Sequence, residues 1–254
     1  MLVPKVARSF SSVSSTNEAL IAALNGPASP PHGAVYLTAA QPGGRGQAGN
    51  RWHSSPGANL TLSLLLRPDR LSVGRLPALT QWAALAVRRA VHTCVPAQTV
   101  SVKWPNDVYV GDQKIAGVLI QNGLRGEVVQ WSVVGIGLNV NEQDFPTALR
   151  QRATSLRQLT GESHSLRQVM ATLFQALTVG YERIEREQWQ TLRQEYHRHL
   201  YLQGVEAMFA SVATGVPFHG VIQDTDAHGR LRILTDGEEL RAYDLREVEY
   251  LGRW

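Results

Sequence analysis

The chain of 254 residues predicts an α+β fold: a mixed, mainly antiparallel sheet with flanking helices, followed by a small antiparallel β-barrel. Short strand-type runs joined by tight turns crowd residues 100–139. Two stretches, 76–95 and 166–201, keep helical periodicity over many turns. Beyond Leu202 the pattern becomes short, alternating and turn-punctuated, which marks a change of architecture. Two units are therefore expected, residues 1–203 and 204–254.

In chain order, residues 1–15 hold Lys5, Arg8 and several serines but no continuous apolar core, so no targeting segment is expected and the folded pattern should begin just after them. Ser15-Thr16-Asn17-Glu18 has the Ser-x-x-Glu spacing of a capping box, and the helix it opens should run through 24 to Asn25-Gly26-Pro27. Residues 34–39 read as a buried strand stopped by Pro42 and a glycine-rich loop, and 59–66 as the next strand. The mostly apolar helix over 76–95 starts at Pro77, a residue suited to a first helical turn. Strands are expected near 100–103, 108–110, 114–122 and 128–139, with hairpin turns at 111–113 and 123–127. Val169, Leu173, Leu177, Tyr181 and Ile184 recur at helical spacing, and Trp189, Leu192, Tyr196 and Leu200 continue it. In the last segment, Asp226-Ala227-His228-Gly229 and Thr235-Asp236-Gly237 are tight turns of a barrel of about fifty residues.

Composition narrows the function. Hydrophobic residues make up 43% and charged residues 18%, which suits a globular protein with a real core. Apolar runs such as 62–66 are too short to cross a bilayer, so no membrane association is expected. Cys94 stands alone, which excludes an internal disulfide or thiolate metal cluster; a buried, inert thiol in a reducing cytoplasm fits. The net charge of +4 permits an acidic partner or nucleic acid, yet the bases of 183–198 are interspersed with acids, as on a solvated helix face. There is no aromatic-basic platform for RNA, no Gly-x-Ser-x-Gly elbow and no His-Glu-x-x-His motif. His197 and His199, two apart on a helix, are poorly spaced to share a metal.

Three constellations carry chemistry. Gly43, Gly44, Gly46 and Gly49 surround Arg45 and precede Arg51 and Trp52. Such a loop can converge backbone N–H groups on an anion, with arginine as a planar donor and Trp52 as a flat face; a flexible connection would use the same glycines. Lys103-Trp104-Pro105-Asn106-Asp107 reads as a turn after a strand, where Asp107 either shapes the turn or offers Mg²⁺ an oxygen. Lys114 opens the strand Ile115-Ala116-Gly117-Val118-Leu119, either solvated or aimed at a ligand that Gly117 lets approach. Gly135-Ile136-Gly137-Leu138-Asn139-Val140-Asn141 ends another apolar strand.

The order and wording of these blocks resemble the biotin–protein ligases. The blocks from Gly44 to Trp52, Gly57-Ala58-Asn59-Leu60, Lys103 to Asp107, Lys114 to Leu119 and Gly135 to Asn141 match that family's signatures. Ser15-Thr16-Asn17 and Gln41 fall where its substrate-contacting residues stand. The likeness spans about residues 15–141, weakens through the helices, and returns loosely at Gly220, Gly229 and Glu247-Val248. It implies a class II aminoacyl-tRNA-synthetase-like catalytic domain of the biotin–lipoate ligase type, with an SH3-like C-terminal barrel.

The resemblance further implies a two-step reaction. Biotin's carboxylate attacks the α-phosphate of ATP to give biotinyl-AMP and pyrophosphate, with Mg²⁺; a lysine of a biotin carboxyl carrier protein domain of a carboxylase then takes the acyl group. By resemblance Arg45, Lys114 and Asp107 are the catalytic residues, with Asp107 either taking up the acceptor lysine's proton, serving Mg²⁺ or shaping the turn. Ser15, Thr16, Asn17, Gln41, Gly44, Arg45, Gly46, Gln47, Lys114, Gly117 and Leu119 would contact biotin. Arg45, Gln47, Asn50, Arg51, Trp52, Asn106, Asp107, Lys114 and Asn139 would contact ATP or the adenylate. Many members carry two further loop arginines where this chain has Gln47 and Asn50, so a less electrostatic hold on the intermediate is expected. The block Ser15-Thr16-Asn17 starts so close to Met1 that no N-terminal winged helix, and no sequence-specific DNA binding, is expected. The family often forms a homodimer through its central sheet, although nothing in these residues demands one. A lipoate–protein ligase and a non-catalytic carrier-domain binding module are the competing readings.

Overall fold

The computed structural model describes residues 1–44, 46, 52–68, 71–237 and 239–253. Strand β1 (Lys5–Phe10) lies parallel to β2 (Ala34–Thr38), and β3 (Leu60–Leu66) pairs antiparallel with β2. Strands β4 (Val100–Lys103), β5 (Asp107–Val110), β6 (Gln113–Arg125) and β7 (Val128–Leu138) follow as antiparallel hairpins. Because β7 returns to pair with β3, one seven-stranded sheet forms in the order β1-β2-β3-β7-β6-β5-β4. It is mixed and mainly antiparallel, as expected.

Helices cover both faces, which is why β3 is fully buried and reads as an unbroken apolar run. Helix α1 (Thr16–Leu24) packs Leu20 against Tyr36, Leu65 and Val133 on one face. On the other face α2 (Leu76–Cys94) and α4 (Leu166–Glu185) bury a large core that takes in Leu62, Leu64, Val118 and Ile136. Trp82 ties these helices together: it is 1% exposed, donates its indole N–H to Leu177 O at 3.1 Å, and meets Tyr181 edge-on at 5.2 Å.

The structure departs from the sequence reading at four places. Residues 5–10 form β1, an edge strand whose mostly exposed side chains give no apolar pattern to read. The short helix α3 (Leu156–Thr160) was not expected either; Ser155 caps it by accepting from Gln158 N–H at 3.1 Å. The periodic run 166–201 is two helices, since the chain turns at Glu187 (φ 55°) before α5 (Trp189–Arg198). Finally, β6 extends to Arg125, so its turn is tighter than 123–127 and relies on Gly126 at φ 58°.

The C-terminal segment forms a second sheet from β8 (Glu206–Ser211), β9 (Pro217–Thr225), β10 (Leu231–Thr235), β11 (Leu240–Tyr243) and β12 (Val248–Arg253). All its pairings are antiparallel, in the order β11-β10-β9-β8-β12. It sits directly on the first unit. Trp104 Nε1 donates to Gly229 O at 2.8 Å, and Thr225 N–H donates to His197 Nε2 at 3.0 Å. Among the described residues no helix is long and apolar enough to cross a membrane.

Candidate active site

The site lies on the α1 side of the large sheet, where cross-strand pairing sets two rows side by side. Thr61, Gly137, Gly117 and Asp107 stand opposite one another across β3, β7, β6 and β5. Ser63, Gly135 and Leu119 form the neighboring row. The glycines hollow this face. A Cβ at Gly137 would stand 2.4 Å from the Trp52 ring, and one at Gly135 would stand 2.5 Å from Asn17 Oδ1. The resulting cavity has a volume of about 860 Å³.

A register shift places the key charge. Asp107 faces Gly117, but between Val108 and Tyr109 the pairing slips, so Tyr109 faces Lys114. Residues 114 and 117 are an odd number apart and would otherwise point to opposite faces; the bulge brings them to one. Lys114 Nζ then donates to Asp107 Oδ2 at 2.6 Å, with side chains about a third exposed at 31% and 29%. The same ammonium lies 5.8 Å from the centroid of the Trp52 ring.

At the other end, the start of α1 builds a polar network. Ser15 caps the helix by accepting from Glu18 N–H at 3.3 Å. Gln41 Oε1 accepts from Thr16 N–H at 2.8 Å. The Ser63 hydroxyl bridges Thr16 Oγ1 and Asn17 Oδ1 at 2.7 and 2.6 Å, and Asn17 Nδ2 donates to Gln121 Oε1 at 2.9 Å. Ser15, Thr16, Asn17 and Ser63 are all buried, so the network is fixed before any ligand arrives.

The glycine-rich segment is closed at its stem, where Trp52 N–H donates to Gly44 O at 3.0 Å. Behind Trp52, the buried carboxylate of Glu142 accepts from Ser55 N–H, Ser55 Oγ and Asn59 Nδ2 at 2.8, 2.7 and 2.8 Å. That anchor braces the segment between Trp52 and β3.

The structure gathers most of the residues expected from the sequence. Ser15, Thr16, Asn17, Gln41, Gly46, Trp52, Asn106, Asp107, Lys114, Gly117 and Leu119 line one cavity. Gly44 does not line it but holds the loop stem. Asn139 stands behind the wall: it is 3% exposed and gives Nδ2 to Thr154 O at 3.0 Å. Asn106 is almost as buried, and its amide donates to Val118 O. Arg45, Gln47, Asn50 and Arg51 lie outside the described residues.

Sequence reasoning missed Ser63, Gln121, Glu142, Arg152, Tyr109, Tyr201 and Tyr250. One signal was available: Ser63 interrupts an otherwise apolar strand run, and the structure buries it completely, where a hydroxyl demands partners. For Tyr250 and Arg152 no local signal existed. Lys103, quoted only within its block, also lines the cavity, with its ammonium 4.6 Å from the Tyr250 ring centroid. Burial, with Asp107 beside it, pushes the Tyr109 phenol up, so it stays protonated at neutral pH.

Among the described residues no group of three or more His, Cys, Asp or Glu stands together. Asp107 already accepts from Lys114. This donor set does not suit a resident metal cage; at most it offers one carboxylate to a cation that keeps most of its waters.

The profile of the "Biotin/lipoate A/B protein ligase family" matches residues 9–139. The bifunctional ligase/repressor BirA of Bacillus spizizenii is 39% identical over 134 residues, 52% of this chain and 41% of that protein. The biotin–[acetyl-CoA-carboxylase] ligase of Paracoccus denitrificans is 37% identical over 133 residues, 51% of this chain and 54% of that protein. These matches span about half the length of either relative. A solved structure, a mutant of the biotin protein ligase from Aquifex aeolicus in complex with biotin, superposes with a TM-score of 0.78 at 25% identity, covering 96% of this chain and 97% of that one.

Proposed function

The chain belongs to the biotin/lipoate A/B protein ligase family, and we propose that it is a biotin–protein ligase. It activates biotin with ATP to biotinyl-5′-AMP and pyrophosphate, then transfers the biotinyl group to a lysine of a biotin carboxyl carrier protein domain, releasing AMP. The observation that carries this is the Lys114–Asp107 pair, seated over Gly117 in the same cavity as the Thr16–Asn17–Gln41 network. Relatives named as biotin ligases favor biotin over lipoate.

In the first step a carboxylate oxygen attacks the α-phosphorus and pyrophosphate leaves. Both reactants are anionic, so the step needs fixed positive charge where they meet. Lys114 supplies it, with Arg45 as its partner from the loop; Mg²⁺ enters with ATP as part of the substrate. The buried donors and acceptors around Thr16, Asn17 and Gln41 suit the ureido group of biotin, whose carbonyl and N–H groups need both kinds of partner. Trp52 offers its ring to the adenine, and the closed stem of the loop helps keep water from the mixed anhydride.

In the second step the acceptor lysine must lose a proton, since only roughly one ammonium in a few thousand is neutral at pH 7. Asp107 is the available base. While Lys114 holds it at 2.6 Å it is occupied; once phosphate oxygens draw Lys114 away, its carboxylate is open to the incoming ammonium. The site contains no resident metal in this reading. Residues 1–203 act as the catalytic unit and 204–254 as an SH3-like barrel closing one end of the cavity, in a cytoplasmic setting.

Pyrophosphate exchange into ATP, with biotin and lipoate offered separately, tests the assignment. Biotin-dependent exchange is expected, and exchange driven by lipoate alone would refute it. In the same assay Lys114→Met should lower exchange by about a hundredfold or more, as for other lost transition-state charges. Near-normal exchange in that variant would remove Lys114 from the mechanism.

A further inference from the structure

Beyond Lys114 the cavity continues past the place where the carboxylate and α-phosphate would meet. Strand β6 gives the direction. Leu119 stands at the α1 end, where its carbonyl accepts from Asn17 Nδ2 at 3.3 Å, then come Gly117 beside Asp107 and finally Lys114. That is about 15 Å of strand. The chain segment at the Lys114 end carries Arg152.

Arg152 is held there by the backbone. Its carbonyl accepts from Lys114 N–H at 2.8 Å, and Thr154 N–H donates to Lys114 O at 2.9 Å, a parallel bridge between Lys114 and Ala153. Arg152 and Lys103 both line the cavity. Among the described residues neither makes an ion pair, and Asp107 is held by Lys114. Lys103, Lys114 and Arg152 thus share this part of the cavity with Asp107, Asp112 and Glu249, and among the described residues only Asp107 of these acids is ion-paired with one of the three cations.

We propose that Arg152, backed by Lys103, binds the pyrophosphate portion of the nucleotide, both as the β- and γ-phosphates of ATP and as the leaving group. This rests on the ATP-dependent activation proposed above. A guanidinium suits the task because its planar fork can grip two phosphate oxygens at once. The electrostatics at Lys103 agree. Burial pulls its ammonium below the ordinary lysine range, Asp107 and Glu249 oppose this, and Lys114 and Arg152 add to it. A polyanion between these groups would relieve that cost. Arg152 is exposed and takes no part in the core, so its replacement should leave the fold intact.

The test compares full-length wild type, Arg152→Ala and Arg152→Lys. Calorimetry gives affinities for biotin, AMP and magnesium pyrophosphate, and exchange kinetics give KM for ATP. Loss of one charge-assisted contact should raise KM for ATP and weaken pyrophosphate binding about tenfold or more in Arg152→Ala. Biotin and AMP, which lack these phosphates, should bind within about twofold of wild type, and Arg152→Lys should recover part of the loss. Unchanged ATP and pyrophosphate parameters would overturn the inference. So would a defect confined to KM for the carrier domain, which would assign Arg152 to protein docking, or an equal loss for biotin, which would indicate general damage. A wild type that binds biotin but shows no exchange, or binds neither substrate, would remove the parent function before any variant is compared.

Discussion

Gly137 shows how a single missing side chain shapes the site. It pairs with Gly117 on one side and Thr61 on the other, and the Trp52 ring occupies the space a Cβ would need, 2.4 Å away. The strand is central and paired on both sides, whereas the Trp52 ring is a side chain that can turn about its own bonds while its N–H stays tied to Gly44. Gly137→Ala should therefore displace Trp52 rather than the strand. The expected result is a KM for ATP raised about tenfold with biotin affinity little changed, the size of effect a lost ring stack gives. Tight, unaltered ATP kinetics would mean that Trp52 does not face the nucleotide. The glycines, the Ser15 block, Asp107 and Lys114 were all legible in the sequence, because their chemistry depends on residue type and spacing. Ser63 and Glu142 were not singled out, because a polar residue in an apolar run and an acid after a strand say nothing alone about what they touch.

At the scale of an element, α1 joins stability to binding. The helix is only nine residues long, too short to stand without its cap and its packing on β2, β3 and β7. Its cap is Ser15, and the two residues that follow build the Gln41 and Gln121 contacts. Ser15→Ala should cost about 1 kcal/mol of stability. It should also weaken biotin binding more than ATP binding, since fraying of the first turn moves Thr16 and Asn17. Denaturant unfolding and separate titrations measure the two effects, and an equal loss for both ligands would argue against a biotin end at α1. The helix itself was readable from Ser-x-x-Glu and Asn-Gly-Pro. Strand β1 was not, because an exposed edge strand has no alternation to betray it.

Across the whole molecule, the seam between the two sheets contains a group that titrates. Thr225 N–H donates to His197 Nε2 at 3.0 Å, and Thr225 Oγ1 lies 2.9 Å from the same nitrogen. Burial holds this imidazole below its ordinary range, Asp224 opposing and Arg193 and Arg232 adding. The unfolded chain therefore takes up a proton first as pH falls below about 6.5. Stability from His197 is present above that pH and is lost as pH falls toward the folded value. His199, also lowered by burial, acts in the same direction. Tm should be lower at pH 5.5 than at pH 7.5, and His197→Gln, which accepts without titrating, should narrow the gap. An unchanged gap would place the acid sensitivity elsewhere. How the second sheet meets the first could not be read from the sequence, which announced only a change of texture after Leu202.

The sequence by itself determined most of the elements, their approximate ends and the family of the chain, because these follow from local periodicity, caps, turns and short motifs; the exposed edge strand β1, the short α3 and the break at Glu187 escaped it. Tertiary structure decided where the motifs meet. The slip between β5 and β6 turned Lys114 onto the face of Asp107 and Gly117, the parallel bridge at Ala153 brought Arg152 to the same cavity, and β12 carried Tyr250 to its far end. A bulge reverses side-chain direction through hydrogen-bond register with another strand, and a bridge forms between residues far apart in sequence. Neither leaves a mark in the residues that take part.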